Sequence, residues 1–137
     1  MLKRLDFGLF DQVPEQAEAS PRHRMHYDLR GPVEEESQRM LNVLEPDTVI
    51  PIHRHNDTSE IVAVLRGKVK EILYDDKGVE TDSCVMEYGS DCPAVVVPQA
   101  VYHTAVCLEP GSVILEIKAK KSDPVLTDVF FENTIQF

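Results

Sequence analysis

The sequence predicts an all-β fold: a single-domain jelly-roll β-barrel with a short N-terminal helix. Three observations predict it. Short apolar or alternating runs recur at close spacing from residue 38 to residue 118. Almost no helical periodicity interrupts them. The gaps between runs carry the turn formers Gly, Pro, Asp and Asn, as in Glu45-Pro46-Asp47, Asp75-Asp76-Lys77-Gly78 and Glu109-Pro110-Gly111. A chain of 137 residues suits one domain with a substantial core, and no linker, internal repeat or low-complexity tract divides it. The expected organisation is an N-terminal strand and helix extension over 1–30, the barrel over 31–120, and a tail over 121–137 that packs on the barrel or on a partner subunit.

Taken in order, residues 1–9 read as a short edge strand, on the imperfect alternation of Leu2, Leu5 and Phe7. Asp11 reads as the N-cap of a helix over Gln12 to Ala19, with Pro14 and Glu15 in its first turn and Ser20-Pro21 ending it. A strand then places Met25, Tyr27 and Leu29 on one face and Arg22, Arg24, His26, Asp28 and Arg30 on the other. Gly31 to Ser37, with Pro32 and three glutamates, is a loop. Strands follow over Gln38 to Leu44, Thr48 to His55, Glu60 to Leu65 and Lys68 to Tyr74. Gly78 is free to take positive φ in the next hairpin, and Val79 to Met86 returns. Ala94 to Val97 is short and apolar. Tyr102 to Leu108 and Ser112 to Lys118 form a last hairpin. Phe130 and Phe131 are expected to cover part of the sheet or a partner subunit.

The chemistry is concentrated in His53-Arg54-His55-Asn56-Asp57-Thr58-Ser59-Glu60-Ile61-Val62-Ala63-Val64-Leu65-Arg66-Gly67. Alternate residues of a strand share a face, so His53 and His55 point the same way. Glu60 heads a buried strand that turns at Gly67. A third imidazole, His103, opens another apolar strand behind Pro98. Buried ionisable groups gathered in this way are costly unless paired or bound to a metal, and a metal ion is the simplest tenant.

The spacing HxH, four residues, Glu, six residues, Gly resembles the first motif of the cupin superfamily, and Pro98 to His103 resembles the second. The resemblance implies that His53, His55, Glu60 and His103 ligate one metal inside a small β-barrel. The chain departs from the pattern at Asp47, Cys92 and Ala100, where glycines are usual, and at Cys107, where asparagine is; none of these is a ligand. Ser20-Pro21-Arg22-x-Arg24, Gln38-Arg39 and the HxH segment together resemble the WbuC-type cupin metalloproteins over residues 18 to 118. That family is often associated with bacterial surface-polysaccharide biosynthesis. Here Asp28-Leu29-Arg30 replaces its usual Asn-Leu-His, and the segment after Lys118 is shorter and lacks its Gly-Pro-Tyr.

Imidazole and carboxylate suit one divalent transition metal, zinc or iron first, with nickel, manganese and copper also compatible. Four protein ligands leave an octahedral ion two open positions, whereas tetrahedral zinc is nearly closed unless Glu60 detaches. Arg22, Arg24 and His26 are candidates for the anionic end of a substrate. The alternative is that the arginines pair with acids of the chain itself, such as Glu34, Glu35 and Glu36. Gln38 is a candidate pocket amide or an ordinary strand-end residue. Tyr102 is expected in packing and Arg54 in a surface salt bridge. No catalytic base is identifiable beyond a metal-bound hydroxide or a released Glu60.

These features support a small metalloenzyme acting on an anionic or sugar-derived substrate. A non-catalytic small-ligand binding module and a metal-free structural barrel are the alternatives. The net charge of −10 and pI near 4.8 argue against a nucleic-acid partner. Three cysteines without CxxC spacing indicate neither a disulfide framework nor a zinc knuckle, and read as small buried thiols in a reducing compartment. No run approaches the roughly 18 apolar residues of a membrane span, and the expected location is cytoplasmic. A homodimer is expected because small barrels commonly cover a sheet edge with a partner's strand.

Overall fold

The computed structural model describes residues 1–12, 24–31, 36–120 and 127–129, with backbone only at 24–26 and 127–128. One helix, α1 (Phe7–Gln12), precedes β1 (Arg24–Asp28), β2 (Gln38–Leu44), β3 (His53–His55), β4 (Glu60–Arg66) and β5 (Lys68–Tyr74). Next come β6 (Glu80–Glu87), β7 (Ala94–Val97), β8 (Tyr102–Cys107), β9 (Ser112–Lys118) and β10 (Thr127–Val129). They form two five-stranded sheets, ordered β1-β2-β9-β4-β7 and β10-β3-β8-β5-β6. Every pairing is antiparallel.

The two sheets face each other across a core drawn from both. Leu44, Val62, Val64, Val97 and Ile114 of the first meet Val69, Met86, Ala105 and Cys107 of the second. Val62 and Val64 on β4, and Ala105 and Cys107 on β8, are two residues apart, so period-2 alternation delivers both members of each pair to one interior. A second cluster lies on the outer face of the first sheet. There Leu41, Val43 and Val113 are covered by Phe10 of α1, which is itself 2% exposed. Burying a phenylalanine to that degree contributes about 1.5–3 kcal/mol.

The start of the chain therefore differs from the edge strand expected over residues 1–9. Asp6 caps a helix there: its Oδ1 accepts from Leu9 N at 2.9 Å and its carbonyl from Phe10 N at 3.0 Å. Asp11, expected as an N-cap, sits inside α1 and pairs with Arg66 at 2.6 Å. Arg66 also lies over the rings of Phe7 and Phe10, and its Nε donates to Gly111 O. From residue 13 the helix expected over Gln12 to Ala19 lies outside the described residues, as do Arg22, Phe130 and Phe131.

The strand expected from Thr48 shrinks to His53–His55. Thr48 instead closes a turn, donating its N–H to Glu45 O and accepting Glu45 N–H on its hydroxyl, and Pro51 has no N–H for a ladder. β10, not foreseen as a strand, pairs with β3, Thr127 opposite His55 and Val129 opposite His53. Gly78 takes the expected positive φ (82°). At Gly67 (φ 83°) a Cβ would collide with Ser112, which explains the glycine after β4.

The interior changes character along the strands. On β9 the inward face runs Ser112, Ile114, Glu116, Lys118, and on β4 it runs Val64, Val62, Glu60 in register with it. On β8 it runs Cys107, Ala105, His103, beside Val69, Glu71 and Leu73 of β5. One end of the barrel is apolar and the other carries a buried layer of ionisable groups.

Candidate metal centre

The layer is assembled from both sheets. His53 and His55 come from β3, and His53 stands directly opposite His103 of β8. Their ring centroids are 4.4 Å apart, with His53–His55 at 4.9 Å and His55–His103 at 5.7 Å. Glu60 crosses from the other sheet. Its Oε2 lies 3.8 Å from His55 Nε2, and its Oε1 lies 3.7 Å from His103 Nε2. One ligand atom from each of His53, His55 and His103 falls within 4.8 Å of the others, and the same holds for Glu60, Glu71 and His103.

Hydrogen bonding fixes which imidazole nitrogens face inward. His53 Nδ1 is 2.7 Å from Pro51 O and His103 Nδ1 is 3.0 Å from Val101 O. A carbonyl only accepts, so both Nδ1 atoms carry a proton, and in a neutral ring that leaves the Nε2 lone pair free. Backbone-anchored Nδ1–H with a free Nε2 is how protein imidazoles present themselves to metals. His103 Nε2 is buried with no hydrogen-bond partner among the described residues. The donor set fits a divalent transition metal.

Electrostatics agree. Burial, followed by the neighbouring His103, pushes His53 down to about 3, and burial, followed by Lys118, pushes His55 down to about 4. Both imidazoles are therefore neutral and available as ligands at physiological pH. Burial alone would raise Glu60, but His103, Lys118 and His55 together hold its carboxyl below the usual range.

Two groups in the layer were missed in the sequence. Lys118 is 3% exposed, with Nζ 3.6 Å from Glu60 Oε2 and 3.4 Å from His55 Nε2. Glu71 is 5% exposed, and burial with Glu60 and Glu116 nearby pushes its carboxyl well above the ordinary value, biasing it toward the neutral acid. The available signal was alternation: Glu71 occupies an inward position of β5 between Val69 and Leu73, and Lys118 continues the inward face of β9 that holds Ile114.

The predicted substrate residues fare unevenly. Gln38 is 5% exposed and in register with Lys118, so its backbone borders the site. Arg24 and His26 are placed by register alone, opposite Leu44 and Asn42 on β2. Arg30 pairs with Asp28, Nε and Nη2 reaching the carboxylate at 3.1 and 2.8 Å, so this arginine serves a neighbouring acid. Arg54 points away from the cluster as expected, 3.7 Å from Asp76 and over the Tyr102 ring. A cleft of about 100 Å³ lies between the edges of β6 and β7, with Glu71 and Leu73 at one wall and Val95 and Val97 at the other.

A family described as "Domain of unknown function (DUF6016)" matches residues 5–86. No curated protein matches the chain. Solved structures do. Oxalate decarboxylase from Bacillus subtilis is 18% identical with a TM-score of 0.59, covering 77% of this chain and 27% of its own. A recombinant oxalate oxidase in complex with glycolate is 16% identical with a TM-score of 0.62, covering 81% and 57%. KdgF from Halomonas sp. is 18% identical with a TM-score of 0.58, covering 78% and 88%. The chain thus spans about a quarter of the decarboxylase and just over half of the oxidase. At these identities the likeness shows the fold, a small all-β cupin domain.

Proposed function

Since the chain belongs to the family described as a domain of unknown function (DUF6016), we propose its function from the site it builds: a metal-dependent enzyme acting on a small anionic or sugar-derived molecule. His53, His55 and His103 hold one divalent transition metal through Nε2, zinc or iron first, with nickel, manganese or copper compatible with the same donors. Glu60 is the fourth donor. The ion supplies Lewis acidity toward a carbonyl or carboxylate oxygen. The observation that carries the reading is the buried Nε2 of His103, without a hydrogen-bond partner among the described residues, where the rings of His53 and His55 converge.

The chain's own groups then divide the remaining work. Lys118 holds Glu60 in place through their 3.6 Å ion pair and offers a cation to an anionic oxygen. Glu71, biased toward its protonated form, can donate a hydrogen bond or a proton at its carboxyl. Gln38, and Arg22, Arg24 and His26 around β1, are assigned to binding the rest of the substrate. Two structurally similar proteins are oxalate oxidases in complex with glycolate, a small hydroxy acid, which supports a carboxylate ligand. The resemblance of the Ser-Pro-Arg-x-Arg segment to WbuC-type proteins is the reason surface-polysaccharide sugars are included in the proposed class. A cytoplasmic homodimer, in which a partner covers a sheet edge, belongs to the same proposal. Among the described residues no helix is long and apolar enough to cross a membrane.

The burial of Glu60, His103 and Lys118 favours a second reading, a non-catalytic module that binds a small ligand over a structural metal. One set of measurements tests both. Untagged protein should carry about one transition metal per chain, as four convergent donors imply. His53→Ala and His103→Ala should each lose it, while Arg24→Ala and Lys118→Met keep it. Glycolate should perturb the spectrum of cobalt-loaded protein and fail to do so in Lys118→Met. Equal metal retention in every variant overturns the ligand assignment. Glycolate binding without turnover of any hydroxy or sugar acid selects the binding module.

A further inference from the structure

Cys84 of β6 and Cys92, in the connection from β6 to β7, bring their Sγ atoms to 3.2 Å. The odd cysteine count concealed this pair in the sequence. Neither thiol is fully buried, whereas Cys107 is, with its Sγ directed at Glu109 O. We propose that Cys84 and Cys92 are a modification site, forming a reversible intrachain disulfide when the protein meets a small-molecule disulfide such as oxidised glutathione.

The backbone around the pair is already fixed. Glu87 N donates to Cys92 O at 3.2 Å, Ser90 N to Glu87 O at 3.2 Å, and Tyr88 N to Gly67 O at 3.1 Å. Gly89 supplies the positive φ (79°) that the turn requires. On the far side Val64 N donates to Pro93 O at 2.8 Å, anchoring the residue after Cys92 to β4. Closing from 3.2 Å to the bond length of about 2.05 Å therefore asks for a side-chain adjustment of about 1 Å.

The chemistry balances with the named oxidant. One protein thiolate attacks a sulfur of oxidised glutathione, forming a mixed disulfide and releasing one glutathione thiolate. The second protein sulfur attacks the protein sulfur of that mixed disulfide and releases the other glutathione. Two thiol hydrogens leave the protein, and two molecules of reduced glutathione form. Cys84 is held in its thiol form by its hydrogen bond to Cys92 and by burial. That hydrogen bond is lost once Cys92 carries glutathione, and Cys84 gives its proton to solvent as it attacks in the second step. The shared contact then makes that step intramolecular.

The placement gives the bond a mechanical consequence. β6 is an edge of one sheet and Cys92 leads into β7, an edge of the other. Cys84 also lines the cleft between them, opposite Glu71 in register. A disulfide here staples the two open edges at the seam beside the buried charged layer.

The test uses the intact chain, reduced and then exposed to excess oxidised glutathione. Under denaturing conditions the thiol count should fall from three to one, with a Cys84–Cys92 peptide in the digest and three thiols restored by dithiothreitol. Cys84→Ser and Cys92→Ser should each give a mixed glutathione disulfide and no internal link. The oxidised protein should melt a few degrees above the reduced one. Three thiols surviving, a stable mixed disulfide in the parent, or a link to Cys107 or between chains overturns the proposal. An unchanged melting temperature overturns the staple.

Discussion

Acidifying the metal-free protein from pH 7 to pH 5 should weaken it through His53 and His55, and the size of the effect follows from the buried layer. Both imidazoles have folded values, about 3 and about 4, well below the ordinary 6.5. A depressed histidine stabilises the fold above 6.5, where both states are neutral, and that contribution is lost as pH falls, because only the unfolded chain takes up the proton. Since both folded values lie below 5, the loss to pH 5 is set by the unfolded value alone, about 2 kcal/mol for each ring or about 4 kcal/mol together. Glu71 acts with the opposite sign. Its raised folded value stabilises the fold below 4.5 and costs stability as pH rises, so acidification to pH 5 recovers at most about 2.5 kcal/mol there. Glu60, held low, begins to matter only below 4.5. The parent should therefore lose between about 1.5 and 4 kcal/mol, and Glu71→Gln, which removes the opposing term, about 4 kcal/mol. Urea unfolding of chelator-treated protein at the two pH values measures this directly. A parent with no pH dependence, or a Glu71→Gln variant less sensitive than the parent, would refute the arrangement of neutral imidazoles beside a protonated acid.

Two backbone substitutions should move stability in opposite directions. Gly67→Ala forces a Cβ into Ser112 at a positive φ and should cost about 3 kcal/mol, read as a lowered thermal midpoint. Ala100 holds φ 62° while its N–H donates to His55 O, so Ala100→Gly should gain about 1 kcal/mol by relieving left-handed strain, with no loss of bound metal.

Strands bounded by strong punctuation were legible in the sequence. Gln38 to Leu44, Lys68 to Tyr74, Ala94 to Val97 and Ser112 to Lys118 have the limits the pattern gives, because glycine, proline or acidic turns close each of them. The gathering of His53, His55, Glu60 and His103 was also legible, since period 2 and motif spacing place them on facing strands. Where a side chain outside the pattern decided the outcome, legibility failed. Asp6 turned an alternating stretch into a helix by capping it. Thr48 and Pro51 consumed the first half of a strand. β10 is three residues long and owes its strand geometry to pairing with β3, which is information held by the partner and not by the segment.

Lys118 and Glu71 were overlooked for a different reason, and together with Glu60 they bear on what the site binds. Glu60 and Lys118 form an ion pair, His53 and His55 are neutral, and Glu71 is biased toward its neutral form. These five groups carry almost no net charge, and Glu116, on the inward face of β9, adds an acid beside Glu71. Near-neutrality is what a buried layer needs in order to fold before a metal arrives, since an uncompensated interior charge costs several kcal/mol or more. A divalent cation entering the same layer adds two positive charges, which the low-dielectric interior disfavours unless acids beside it are ionised. The least costly remedies are a proton leaving Glu71 or an anionic oxygen arriving from outside. The anionic substrate proposed above would meet part of that charge, and an ionised Glu71 with its neighbour Glu116 could meet the rest.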